Sequence, residues 1–263
     1  FLKKNDSNGK VSIGCDARVS SPELQEAVAT GISKAGFDVD VIGMLPIPVA
    51  NYFTWKASSG PTPYLGGVYI TASHNPAEYN GIRFHHPDGT GYTEGNIEIK
   101  RIFFEEELVE SSSFGTINKI STESVLDDYV DFVSTKVGSI KGTKIALDPG
   151  NGVGCVIVEK LFQKLGAETH SINNEPDGNF PNRPSEPAPK NLGDLISVMS
   201  NNDFDFGVAF DGDADRCVFI DNKARPVSAE KIGIIVSKSL ITPESSKVLG
   251  GVPCSMILEK EIP

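Results

Sequence analysis

The chain has 263 residues, of which 39% are hydrophobic, so it can bury one large core or two of ordinary size. Its 35 acidic and 24 basic side chains give a net charge of −11, which argues against nucleic acid or an anionic membrane as a bulk partner. No apolar run reaches the roughly 18–20 residues of a membrane-spanning helix. The cysteines lie far apart and are predicted to be reduced, buried thiols of a cytoplasmic protein: Cys15, Cys155, Cys217 and Cys254.

The first part of the chain alternates between strand and helix patterns. Short apolar runs that end in turn residues predict buried strands, and an apolar stripe behind Pro22 predicts a helix. The predicted elements are, in order, a strand at 10–16, a helix at 20–36, a strand at 39–42, a helix carrying Val49, Tyr52 and Phe53, and a strand at 66–70. This βαβαβ order implies parallel strands with helices packed on the sheet.

The pattern restarts in the second part, where residues 173–191 form a Pro- and Asn-rich loop that we expect to be irregular. The other predicted elements are a helix at 125–137, strands at 144–148, 168–172 and 206–210, and helices at 153–165, 192–199 and 229–240. The fold class is therefore α/β, with two mixed, largely parallel layered domains at 1–138 and 139–243. Residues 244–263 read as a linker, a strand and a helix start, and are expected to begin a third domain.

A polar turn containing Ser73 and His74 follows the third predicted strand. Ligand sites in open α/β sheets lie outside the carboxyl ends of parallel strands, which is where this turn falls. The serine could act as a nucleophile, with backbone N–H groups and His74 receiving the developing charge. A simple Ser/Asn turn is the alternative, and for Ser73 taken alone it is the better explanation.

Three aspartates at alternate positions, Asp211, Asp213 and Asp215, follow the strand at 206–210. Carboxylates this close repel one another and need a compensating cation, and oxygen ligands suit Mg²⁺ or Ca²⁺. An EF-hand loop is excluded because its Gly and Glu positions hold other residues. Arg216 beside the cluster suits a phosphate, since guanidinium binds phosphate in a bidentate way. A solvated acidic turn is the alternative, but it does not explain the position directly after a buried strand.

Two weaker patterns favour ordinary structure. Adjacent histidines rarely bind one metal, so His85 and His86 are predicted to lie on a loop surface. Residues 150–154, GNGVG, could receive a phosphate on their N–H groups at a helix start. They lack the GxGxxG spacing of a dinucleotide site, so a tight strand-to-helix turn is the prediction.

The motifs TASHNPAEYNGIRF at 71–84 and FDGDADR at 210–216 together resemble those of the α-D-phosphohexomutases, the phosphoglucomutase/phosphomannomutase superfamily. Weaker similarities at 14–24, 45–48 and 147–154 extend the resemblance over nearly the whole chain. The family has four domains around a cleft, and this chain resembles the first, the second and the start of the third. Both chain ends look abrupt, so we expect a piece of a longer protein.

The resemblance implies a role for each candidate residue. Ser73 would be the phosphoserine, while Asp211, Asp213 and Asp215 would hold Mg²⁺ together with an oxygen of its phosphate. His74 and Arg216 would stabilise charge on the transferring group. The implied reaction interconverts the 1-phosphate and 6-phosphate of a hexose, a small-molecule sugar phosphate. A hexose 1,6-bisphosphate would serve as intermediate and activator.

Two positions depart from the family's pattern. Arg83 stands where a Lys is frequent as a candidate acid/base. Since Arg is always protonated, Arg83 can stabilise charge but carries protons poorly. Cys15 stands where the family commonly has Arg, a minor loss of positive charge.

Other readings of the motifs stay open at this stage. In an aspartyl-phosphate enzyme of the haloacid dehalogenase type, Asp211 would be phosphorylated and Ser73 incidental. That class prefers Thr or Val where Ala214 stands, and it leaves the motif around Ser73 unexplained. A non-catalytic chain that binds metal and phosphosugar is a third reading. The isolated chain is expected to lack mutase turnover, because the family's distal phosphate site belongs to its fourth domain.

Overall fold

The computed structural model describes residues 1–2, 9–108, 111–242, 247–250 and 255–262. Its frame is two five-stranded sheets with helices packed against them. The α/β class predicted from the sequence is confirmed, as is the mixed character of both sheets.

The first sheet has the strand order β4-β3-β1-β2-β5. Its strands are β1 (Lys10–Cys15), β2 (Asp38–Met44), β3 (Tyr64–Ile70), β4 (Ile82–His85) and β5 (Ile117–Lys119). All pairings are parallel except that of β3 with β4. Helices α1 (Ser21–Lys34), α2 (Ile47–Ala57) and α3 (Glu94–Phe104) complete this part of the chain. The central strands are buried over most of their length, as continuous apolar runs between helical layers should be.

The second sheet has the strand order β10-β9-β8-β6-β7. Its strands are β6 (Lys144–Asp148), β7 (Glu168–Ser171), β8 (Phe206–Phe210), β9 (Cys217–Asp221) and β10 (Pro226–Val227). The pairings of β6 are parallel, while β8, β9 and β10 form an antiparallel run. The later helices are α4 (Thr122–Val137), α5 (Val158–Lys164), α6 (Gly193–Asn201), α7 (Ala229–Leu240) and α8 (Ile257–Glu261).

Helix α4 joins the two sheets through a shared hydrophobic core. The Ser121 hydroxyl caps its first turn by accepting from the Ser124 N–H at 3.3 Å, and Gly138 with φ +77° ends it. Its apolar stripe packs in one cluster with Leu45 from the first sheet's side and Leu147 from the second. This core holds the parallel strands of the two sheets with their carboxyl ends near each other. The domain boundary predicted at 138–139 follows the end of α4 and stays a prediction.

Several elements differ from the sequence predictions. Strands β4, β5, β9 and β10 and helix α3 were not predicted, and the predicted helix at 153–165 opens with a 3₁₀ turn at Val153–Val156. Most of the first ten residues, and much of the strand expected after 243, lie outside the described residues. Within the described part of the chain, no helix is both long and apolar enough to span a membrane.

Candidate active site between the two sheets

The carboxyl ends of β3 and β8 bring Ser73 and Asp211 into contact. The Ser73 hydroxyl donates to Asp211 Oδ2 at 3.0 Å, although 138 residues separate the two in the chain. Each side chain lies just past a buried strand, where open α/β sheets bind their ligands. The two motifs singled out in the sequence therefore form one site.

Ser73 sits in a strained turn held from several sides. Its φ of +52° is in the left-handed region, which a residue with a side chain rarely adopts. The Ser73 N–H donates to Thr71 Oγ1 at 2.7 Å, and its carbonyl accepts from Arg18 at 2.7 Å and from Ser185 at 3.0 Å. The surrounding structure thus determines the direction in which Oγ points.

The three aspartates form a compact set of oxygen donors. One carboxylate oxygen from each of Asp211, Asp213 and Asp215 lies within 4.8 Å of the other two. Asp211 and Asp213 are fully buried, whereas Asp215 is exposed. Asp213 Oδ1 is buried and has no hydrogen-bond partner. An all-oxygen set with an unpartnered buried acceptor fits a hard cation such as Mg²⁺.

Gly212 is what allows the acidic loop to approach the serine turn so closely. A Cβ at this position would lie 2.6 Å from Ser185 Oγ and 2.8 Å from the Ser73 carbonyl oxygen. Any side chain here would push the two loops apart. The glycine between the first two aspartates is therefore required by the packing of the site.

The electrostatics of the cluster reflect crowding of negative charge. Burial, followed by repulsion from Asp211 and Asp215, raises the pKa of Asp213 to about 8. Burial and the charge of Asp215 also raise the pKa of Asp211. Arg83 opposes this effect, with Nη1 at 3.1 Å from Asp215 and 3.4 Å from Asp213. The Arg83 guanidinium thus lies beside the same carboxylates that would bind a metal.

The raised pKa of Asp213 predicts a pH-dependent loss of stability in chelator. Its folded pKa exceeds the unfolded value of 3.8, so the folded state binds the extra proton and stability falls as pH rises from about 4 to 8. Asp213→Asn mimics the protonated carboxyl and should lack this decline. We expect its melting temperature to exceed that of the wild type by at least about 3 °C at pH 8, with the gap closing toward pH 4.

Thermal unfolding followed by circular dichroism across this pH range measures the gap. Mg²⁺ added at pH 8 should raise the melting temperature of the wild type by more than that of Asp213→Asn, which should bind the ion weakly. A gap that does not depend on pH would contradict the assignment of the decline to Asp213.

His74 and Arg216 lie together at the open side of the site. Arg216 Nη1 donates to His74 Nδ1 at 2.9 Å, which leaves Nε2 as the ring nitrogen that carries a proton. The Arg216 backbone N–H also donates to Asp211 Oδ1 at 3.1 Å. Arg216 is exposed and His74 is partly exposed, so both remain accessible to a ligand.

Sequence reasoning missed two buried arginines that hold the site together. Arg18 and Asp16 directly follow β1, a position that the rule for strand ends could have flagged. Arg183 donates to Asp148 Oδ2 at 2.8 Å and to the carbonyl of Phe210, the last residue before the acidic loop, at 2.7 Å. No periodicity marks Arg183, which lies in the loop expected to be irregular.

The weaker sequence candidates have structural roles. The GNGVG turn donates its N–H groups to other parts of the protein: those of Asn151 and Val153 donate to the carbonyls of Asn173 and Gly212. The prediction of a loop surface is wrong for His85, which is buried in β4, where desolvation lowers its pKa to about 4. His86 is exposed and packs against the ring of Tyr92.

The cysteine prediction is partly wrong as well. Cys15, Cys155 and Cys217 are free, but Cys155 is only partly buried, and Cys217, the first residue of β9, is exposed. Cys15 is buried, and burial raises the pKa of its thiol to about 12. Cys254 lies outside the described residues.

Several known proteins are similar to this chain in sequence and in fold. The chain is 38% identical over 247 residues to the phosphoglucosamine mutase of Clostridium botulinum, covering 91% of this chain and 53% of the relative. It is 33% identical over 244 residues to the phosphoglucomutase/phosphomannomutase of Thermococcus kodakarensis, covering 91% and 52%. A crystal structure of a phosphoglucomutase/phosphomannomutase family protein from Burkholderia thailandensis superposes with a TM-score of 0.81 at 29% identity, covering 90% and 52%.

The chain thus spans about half the length of the curated relatives it matches. Residues 1–110 match the family's alpha/beta/alpha domain I, and residues 127–224 match its alpha/beta/alpha domain II. These matches cover the turn around Ser73 and the acidic loop, the two motifs that carry the resemblance. The chain belongs to the phosphoglucomutase/phosphomannomutase family.

Proposed function

We propose that this chain carries the phosphoryl-transfer site of a phosphosugar mutase. The enzyme would interconvert hexose 1-phosphate and hexose 6-phosphate through phosphorylated Ser73 and a bisphosphorylated sugar. The observation that carries the proposal is the contact of Ser73 Oγ with Asp211 at the edge of the three-carboxylate cluster. Phosphoryl transfer depends on positioning and on stabilising charge, and this arrangement supports both.

Asp211, Asp213 and Asp215 would hold Mg²⁺, with an oxygen of the Ser73 phosphate as a further ligand. The unpartnered Asp213 Oδ1 and the all-oxygen donor set support this assignment. A bound Mg²⁺ would neutralise charge on the phosphoryl oxygens as the phosphorus changes partners.

The protein's own residues would orient the phosphate and balance its charge. In the first half-reaction the bond from phosphorus to Ser73 Oγ breaks and a bond to a sugar hydroxyl oxygen forms. The hydroxyl proton ends on Ser73 Oγ, and the reverse step at the other end of the sugar restores the phosphoserine. Arg216 and His74 would donate to the phosphoryl oxygens. Arg83, always protonated, would stabilise charge without accepting the proton.

The substrate class we propose is a hexose phosphate, with the hexose 1,6-bisphosphate as activator. The relatives are named for glucosamine, glucose and mannose phosphates, so all three sugars belong in the test. The family resemblance implies that the site for the distal phosphate of the substrate lies in the fourth domain. For these 263 residues tested alone, which span about half the length of the relatives, we expect transfer to Ser73 but mutase turnover several orders of magnitude below that of a full-length relative.

The proposal is tested by incubating the dephosphorylated chain with each hexose 1,6-bisphosphate and Mg²⁺. Intact mass should show one added phosphate, tandem mass spectrometry should place it on Ser73, and Ser73→Ala should remain unmodified. A seryl phosphate survives acid and hydroxylamine, whereas an aspartyl phosphate does not. A labile phosphate on Asp211 would favour the aspartyl-phosphate reading. Mg²⁺ binding without any phosphate transfer would favour a binding-only chain.

A further inference from the structure

Arg18 is a fully buried cation next to the serine turn. Its side chain has no exposed surface, and its Nε lies 3.0 Å from Asp16 Oδ2 in a pair that is equally buried. A buried guanidinium is tolerated only when its donors are satisfied. The positions of those donors therefore show what this arginine holds in place.

The terminal nitrogens of Arg18 bind the backbone of the turn that carries Ser73. The four acceptors are the carbonyl oxygens of Ser73 at 2.7 Å, Asn75 at 2.8 Å, Pro76 at 2.6 Å and Tyr79 at 3.0 Å. One planar side chain thus gathers four peptide groups within seven residues. A lysine ammonium, with three donors and no planar fork, cannot reproduce this set.

Asp16 extends the same network to the other side of the Ser73 residue. Thr71 Oγ1 lies 2.8 Å from Asp16 Oδ2 and accepts the Ser73 N–H at 2.7 Å. The Ser73 N–H and carbonyl are therefore both held through the Asp16–Arg18 pair. This explains how a non-glycine residue keeps the left-handed φ of +52°.

The long loop at 173–191, which lies beside the second sheet, closes over this network. Ser185 Oγ donates to the Ser73 carbonyl at 3.0 Å. The ring of Phe180, itself buried, lies over the Arg18 guanidinium with its centroid 5.2 Å from Cζ. The loop expected to be irregular therefore contacts both the serine turn and the arginine that binds it.

We propose that Arg18 is a positioning residue for phosphoryl transfer at Ser73, and that Ser185 and Phe180 from the loop at 173–191 keep it and the turn in register with the acidic cluster. Arg18 touches the backbone of the turn and not Oγ, so it acts on the direction of Oγ and not on the reacting atoms. Misplacement of a reacting group by about 1 Å can slow a reaction by about a hundredfold. This inference rests on the function proposed above.

The test compares Arg18→Lys and Ser185→Ala with the wild type and with Arg225→Lys. Arg225 is an exposed arginine paired with Asp221, so its substitution controls for loss of a guanidinium as such. The readouts are the rate constant for phosphorylation of Ser73 by hexose 1,6-bisphosphate, the bisphosphate concentration at half-maximal rate, and the Mg²⁺ affinity. All are measured well below the melting temperature of each variant.

We expect the rate constant to fall by about 10- to 100-fold in Arg18→Lys and by about threefold to tenfold in Ser185→Ala, which loses one hydrogen bond. The half-maximal bisphosphate concentration and the Mg²⁺ affinity should change by less than about threefold, because the side-chain hydrogen bonds of Arg18 and Ser185 go to Asp16 and the serine turn and not to the acidic cluster. Arg225→Lys should match the wild type. A role in folding alone would lower the melting temperature and leave the rate constant of the folded protein unchanged.

Wild-type rate constants in folded Arg18→Lys and Ser185→Ala would overturn the inference and leave the proposed function intact. If Arg18→Lys does not fold, the Ser185→Ala variant decides the role assigned to the loop at 173–191. A wild-type rate constant in this variant overturns that role, and a reduced rate constant supports it. A wild-type chain that takes no phosphate on Ser73 would overturn both proposals.

Discussion

Asp213→Asn is expected to lower the rate of phosphate transfer to Ser73 by about a thousandfold or more, because the site would lose one of the two buried carboxylates that we propose as Mg²⁺ ligands. The substitution keeps the size of the side chain and replaces one carboxylate oxygen by an NH₂ group, which repels a cation. The Asp213 backbone carbonyl still accepts from the Ile47 N–H at 3.1 Å, so the loop should keep its position. The rate is measured by intact mass after mixing with hexose 1,6-bisphosphate and Mg²⁺.

Asp221→Asn is the matched control for this variant. Asp221 is the last residue of β9 and pairs with Arg225 on the surface at 2.6 Å. Its substitution by Asn therefore removes the same charge outside the site. Its transfer rate should stay within about twofold of the wild type, as is usual for a substitution away from the reacting groups. Transfer in Asp213→Asn at a rate close to that of the control would show that the acidic cluster takes no part in the reaction.

The second large effect is expected on stability. Arg183→Ala should lower the free energy of unfolding by about 3–5 kcal/mol, because it leaves the buried carboxylate of Asp148 without its cationic partner. It also removes the donors to the carbonyls of Asp148 and Phe210 at 3.0 and 2.7 Å. Arg183 is only 6% exposed, so water cannot replace these bonds easily. Urea unfolding followed by circular dichroism measures the change.

Arg225→Ala serves as the control for Arg183→Ala. Its ion pair with Asp221 is exposed at the arginine, and such pairs contribute about 0–1 kcal/mol. In the double variant Arg183→Met with Asp148→Asn, both charges are gone, so we expect it to be more stable than Arg183→Ala. Equal urea midpoints for Arg183→Ala and Arg225→Ala would contradict a contribution of the buried Arg183–Asp148 pair to stability.

The strands that position the site could be predicted because each is a short apolar run with turn residues behind it. The segments KIALD and FGVAF are β6 and β8 with the predicted bounds, Lys144–Asp148 and Phe206–Phe210. The rule that ligands bind at the carboxyl ends of parallel strands then predicted a ligand site at the turn around Ser73. That this turn meets the acidic cluster was implied only by the family resemblance. Local patterns were sufficient here because burial in a parallel sheet leaves a continuous signal in the sequence.

The contacts that complete the site could not be predicted in the same way. Ser185 meets the Ser73 carbonyl across 112 residues, and Arg18 reaches Tyr79 across 61, so no local period links them. Strand β4 is an antiparallel edge strand whose residues are mostly not buried, and it lacks the apolar run that marked the predicted strands. These features depend on which loops the tertiary packing brings together, and a single sequence does not record that.

The Mg²⁺ affinity of the chain with and without phosphate on Ser73 tests most directly whether the serine and the acidic cluster form one site. Isothermal titration of the phosphorylated wild type, the dephosphorylated wild type and Asp213→Asn supplies the comparison. We expect phosphorylation to tighten Mg²⁺ binding by at least about tenfold, since it adds an anionic oxygen ligand, and Asp213→Asn to bind weakly in either state. Equal affinities for the two phosphorylation states of the wild type would contradict the account.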